Sequence, residues 1–149
     1  MKEIALIGSN GPVMSAVLGS LLAKGLSVEV FSLYPEHVMI DNTQLTVRHY
    51  DYASEENMRR SLEGYSTVVI ANETDLENEE LDNVILKYFP STLKAIAEAG
   101  IENLVVVGAK ESNAFYLGHL KQLENTDWKY YDTEGDYASR VIEALKVEA

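Results

Sequence analysis

The sequence predicts one three-layer α/β domain over residues 1–149, a doubly wound parallel sheet with strand order 3-2-1-4-5-6. Three observations carry that prediction. Short apolar runs alternate with helical patterns along the whole chain, which is the signature of parallel strands joined by crossover helices. The central runs are continuously apolar rather than alternating, as strands covered on both faces must be. The length of 149 residues with 46% hydrophobic side chains suffices for one core, which at this size hides about 70% of the unfolded chain's surface.

The elements follow in order. Ile4-Ala5-Leu6-Ile7 reads as a buried strand. Gly8-Ser9-Asn10-Gly11 is a turn signal, and Pro12 suits the first position of a helix. Val13, Val17, Leu18, Leu21 and Leu22 share that helix's inner face, and Gly25 stops it. Val28–Phe31 and Leu45–Val47 are the second and third strands. Ser54 is placed to cap a helix with Glu55 and Glu56 in its first turn and Met58 and Leu62 turned inward, ended by Gly64.

Thr67–Ala71 is the fourth strand. A helical face follows through Leu81, Val84, Ile85 and Tyr88, until Pro90 calls for a kink or break and biases Phe89 away from helical geometry. The helix resumes through Leu93, Ile96 and Ala97 to Gly100. Leu104–Val107 is the fifth strand, a helix spans about Ala114 to Leu123, and Trp128–Tyr131 is a short sixth strand. Thr133 and Asp136 have near capping-box spacing before a last helix that turns Tyr137, Val141, Ile142 and Leu145 inward.

Composition excludes whole classes of function. Cysteine is absent, so disulfides and thiolate metal sites are excluded; this suits the cytoplasm, the expected location. A net charge of −12 repels nucleic acid and anionic membranes. No apolar run reaches the ~18 residues of a membrane span, and Met1-Lys2-Glu3-Ile4 lacks the layout of a signal peptide. Any phosphate-bearing ligand must therefore be held by local backbone donors.

The glycine turn at Gly8 to Val13 offers such donors, because a helix N-terminus presents free N–H groups and a positive dipole end. The same glycines also serve a turn that needs them for backbone geometry alone. Six acids, Glu73, Asp75, Glu77, Glu79, Glu80 and Asp82, follow the fourth strand. They read as a solvated loop with favourable charge at a helix start, and they repel an anionic ligand. Tyr130 and Tyr131, on an edge-like strand, read as half-buried packing, with a dimer contact or stacking surface as the alternative. Ser112 reads as a helix cap. His37, His49 and His119 have no metal-site spacing, and no metal is expected.

The strand and turn through Val13 resemble the opening of NmrA-like and epimerase-like short-chain dehydrogenases, which have a Rossmann-like fold and begin with a strand, G-x-x-G-x-x-G and a helix. The resemblance continues through Asp51 after the third strand, Val68–Ala71, Ala97-Glu98-Ala99-Gly100-Ile101 with Leu104–Gly108, and Asp127-Trp128 before the sixth strand, as in a flavin-reductase-like subgroup. It implies an NAD(P)-binding oxidoreductase-like protein with NAD or NADP as cofactor, a small-molecule ligand, and cofactor contacts at Gly8, Ser9, Asn10, Gly11, Pro12, Val13, Ser32, Asp51 and Ala71. The alternative is a non-catalytic Rossmann domain that serves as a sensor or assembly module.

Three departures bear on that choice. Met14 stands at the third glycine position, which in the Rossmann pattern permits close helix–strand packing; it is expected to push the helix outward or to fill space near the phosphates. Phe31-Ser32-Leu33-Tyr34 lacks the acid that would bind an NAD ribose and the Arg that would favour NADP. No Tyr-x-x-x-Lys pair exists, since Tyr116 is followed by Leu120. No catalytic residue is therefore assigned. The chain is shorter than family members after Tyr131, and a homodimer is expected to cover the surface this leaves.

Overall fold

Ile4–Gly8 (β1) is buried along its whole length between two other strands, and its side chains from Ile4 to Ile7 alternate between two cores. In the computed structural model, which describes residues 4–8, 12–32, 42–72 and 87–145, six strands form one sheet: β1, Val28–Ser32 (β2), Leu45–His49 (β3), Thr67–Ala71 (β4), Asn103–Gly108 (β5) and Asp127–Asp132 (β6). Their order is β3-β2-β1-β4-β5-β6. Every pairing is parallel. This is the Rossmann-like doubly wound sheet that the alternating pattern predicts.

The two-residue period of the strands divides the core into two layers. Ala5, Ile7, Phe31, Val68, Ile70, Leu104 and Val106 face one side, together with Met58, Leu62, Leu93 and Ile96. These come from Glu55–Leu62 (α2) and Phe89–Glu98 (α3); Tyr116 and Leu120 of Asn113–Leu120 (α4) join them. Ile4, Leu6, Val28, Val30, Val69, Ala71, Val105 and Val107 face the other side. Pro12–Ala23 (α1) and Tyr137–Ala144 (α5) cover them.

The α1 layer is aliphatic apart from Met14 and tyrosines at its rim, whereas the α2–α3 layer is rich in aromatic rings and carries polar groups. Glu29 is 5% exposed there. It is paired with Arg48 of β3 and accepts the Tyr65 hydroxyl. A buried carboxylate without such partners would be strongly destabilising, so this trio ties β2, β3 and the turn before β4 together.

Capping follows the sequence closely. The Ser54 side chain accepts the Asn57 N–H at 3.2 Å, and Asp136 does the same for Ser139 at 3.3 Å. Gly25, Gly64 and Gly100 adopt positive φ after their helices, where other residues would be strained.

Two boundaries differ from the sequence reading. A break does fall before Pro90, at Tyr88, but Phe89 is helical, and Pro90 lies in the first turn of α3, where a missing N–H removes no helical bond. The helix expected over Ala114–Leu123 begins earlier, with a 3-10 turn at Lys110–Ser112, and ends at Leu120. Ser112 occupies the cap position of α4 without a capping bond from its side chain, so its expected capping role is not made. The helical face through Leu81, Val84 and Ile85 lies outside the described residues, as does the acidic stretch Glu73–Asp82. Among the described residues, no helix is long and apolar enough to cross a membrane.

Two glycines give opposite expectations. A Cβ on Gly108 would lie 2.4 Å from Cε2 of the buried Tyr116 ring, whereas one on Gly19, exposed in α1, would meet nothing within 4 Å. Gly108→Ala should destabilise the fold by about 1–3 kcal/mol, and Gly19→Ala should stabilise it by about 0.5–1 kcal/mol. Urea unfolding of both variants checks the pair of signs.

Candidate functional site

Parallel sheets of this order gather their loops at the carboxyl edge, where β1 and β4 lie side by side and the chain turns in opposite directions. Gly8 ends β1 directly opposite Ala71 at the end of β4. A Cβ at position 8 would come within 2.4 Å of the Ala71 carbonyl oxygen. Glycine is therefore required at this edge by backbone approach, not by an unusual φ.

Helix α1 opens beside that contact. Pro12 is its exposed first residue. Its first turn contains no acid, so nothing there competes with an anion for the helix's positive end. Ser9, Asn10 and Gly11 lie outside the described residues.

Met14 is 2% exposed and belongs to the core cluster that includes Leu6, Val17, Val69 and Ala71. Its Cγ lies 3.0 Å from where a Gly8 Cβ would be. Of the two expected effects of a Met at this position, the structure shows the filling of space. The side chain occupies the room beneath Gly8 and joins α1 to the sheet by packing.

On the β2–β3 side, Ser32 is 1% exposed, and its carbonyl accepts the Tyr50 N–H at 2.9 Å. Asp51 is half-buried, and its carboxylate is spoken for within its own turn: Oδ1 accepts the Ala53 N–H and Oδ2 the Asn57 side-chain amide, each at 3.1 Å. Asp51 thus sets the start of α2. Tyr50 and Tyr52 flank it, both buried, with rings edge-to-face at 4.7 Å. Burial pushes both hydroxyls far above the ordinary tyrosine range, so they stay protonated.

On the β4–β5 side the structure assembles a polar group that the sequence reading did not find. Asn72, fully buried just past Ala71, donates its backbone N–H to Val107 at 2.9 Å and its side-chain Nδ2 to the Tyr116 hydroxyl at 2.8 Å. The Tyr116 ring sits over Gly108 and stacks on Tyr130 at 5.4 Å. Tyr130 in turn donates to Asn113 at 2.6 Å. Burial first, then nearby Tyr116, Asp132 and Glu111, push the Tyr130 hydroxyl far above its ordinary range. Lys121, five residues after Tyr116, is exposed at the C-cap of α4.

Asn72 and Tyr116 are 44 positions apart, so no local motif signals the pair; the glycine ending β5 was the available hint. Tyr130 and Tyr131 do serve as packing, the second beneath Arg140 at 5.9 Å. His119 meets Phe115 edge-to-face at 4.8 Å, and His49 ends β3; His37 lies outside the described residues. Among the described residues, no group of three or more His, Asp or Glu could hold a metal ion.

The opening of α1 at the carboxyl edge, with no acid in its first turn, fits a ligand that carries phosphate. The comparisons with known proteins agree. A family model described as NAD(P)H-binding matches residues 8–148. Among solved structures, the chain is similar to a protein described as a candidate epimerase from Bacteroides thetaiotaomicron, with a TM-score of 0.72 and 22% identity over 88% of this chain and 70% of that one. It is also similar to an oxidoreductase from Lactococcus lactis, with a TM-score of 0.69 and 17% identity over 90% and 71% of the two chains. A third, the Citrobacter sp. triphenylmethane reductase complexed with NADP(H), gives a TM-score of 0.55 and 20% identity over 72% and 37%. No curated protein matches the chain.

The position of Met14 makes a prediction that separates packing from ligand binding. Met14→Ala should cost about 2–5 kcal/mol of stability, the range for a buried large-to-small change. Thermal or urea unfolding measures it, and a loss below about 1 kcal/mol would show that Met14 is not packed as described.

Proposed function

The chain belongs to the NAD(P)H-binding family, whose cofactor is NAD or NADP, and we propose that it is an oxidoreductase-like domain holding the dinucleotide along the carboxyl edge of its sheet. The observation that carries this reading is the close approach of Gly8 to Ala71 beside the opening of α1. In this reading the backbone from Gly8 through Ser9, Asn10, Gly11 and Pro12 to Val13 receives the pyrophosphate. Ser32 lies toward the ribose, Asp51 toward the adenine, and Ala71 forms the floor between the two halves.

The cofactor, when bound, supplies hydride chemistry; the chain's own residues bind it, orient it and exclude water. Ser32 brings neither a carboxylate for a ribose diol nor a cation for a 2′-phosphate. One charged hydrogen bond is worth about 1.5–3 kcal/mol, or roughly ten- to hundredfold in affinity. A site without one should choose little between the two cofactors.

A second reading, a cofactor-responsive sensor or assembly module without catalysis, is favoured by one observation. Tyr116, on the helix that follows β5, is buried and bonded to Asn72, and the neighbouring Tyr130 hydroxyl is pushed up in pKa rather than down. Both hydroxyls are placed to brace the fold. A homodimer in the cytoplasm also belongs to the proposal. Phe115, an exposed large hydrophobic residue, stands beside a groove formed by Pro90, Leu93, His119 and Leu123. Light scattering that shows a monomer at high protein concentration would count against the dimer.

Calorimetry, with Trp128 fluorescence as a second signal, tests the binding reading. Saturable micromolar binding of NADH and NADPH, within a few-fold of each other, is expected. No binding of either at millimolar ligand would overturn it, and tight selective binding would overturn the account of Ser32.

A further inference from the structure

We draw no further inference here: the strongest candidate, the groove of Pro90, Leu93, His119 and Leu123 beside the exposed Phe115 on the outer side of α3 and α4, carries nothing beyond the homodimer already proposed, because nothing in the structure shows what covers it.

Discussion

The ends of β1 and β4 approach so closely that the Ala71 carbonyl oxygen lies 2.4 Å from where a side-chain carbon on residue 8 would be. Much of the molecule is arranged around that approach. It brings the first and fourth strands into register and places the start of α1 beside the sheet edge. It also leaves a space beneath Gly8 that Met14 fills. A glycine at the helix position would let backbone meet backbone. Here a flexible thioether makes the contact instead, as suits a gap of irregular shape.

The two faces of the sheet take different roles. The α1–α5 face is packed with branched aliphatic side chains from all four central strands. The α2–α3–α4 face contains Phe31, Tyr50, Tyr52, Phe89 and Tyr116, with edge-to-face ring contacts between 4.7 and 5.6 Å. Aromatic packing of this kind brings hydroxyls and amides into a core, where the Tyr50 and Tyr52 hydroxyls have no hydrogen-bond partner among the described residues. Glu29 finds Arg48 and Tyr65, and Asn72 finds Tyr116. Glu29 and Asn72 thus place buried polar groups on one side of the sheet, and Asn72 reaches its carboxyl edge.

The helix after β5 is tied into this polar side of the core. Tyr116 is drawn into the core by the space over Gly108 and by the Asn72 amide. A buried hydroxyl bonded to an amide and stacked on a second tyrosine is a brace. Tyr130, whose pKa is raised mainly by burial, remains a donor to Asn113. In the proposed reading, the carboxyl edge offers a ligand backbone groups more than charged side chains. With a net charge of −12 overall, that local backbone supply is what an anionic ligand requires.

The strand order, the parallel pairing and the inward faces were legible in the sequence because they depend on local period and on short-range punctuation. Continuous runs such as Leu104–Val107 mark strands buried on both sides, and Gly25, Gly64 and Gly100 mark helix ends by a conformation other residues avoid. Ser54 announced its cap by chemistry that acts over three residues. Position 14 was legible as a departure, but whether Met14 would push the helix away or pack beneath Gly8 depended on the distance between α1 and β1. The role of Asp51 likewise depended on which nearby donors the β3–α2 turn would present. Asn72, Tyr116, Gly108 and Tyr130 meet only because β4, β5, α4 and β6 are neighbours in space. Contacts between residues 44 positions apart leave no periodic trace, so tertiary structure alone decided which polar groups reach the carboxyl edge.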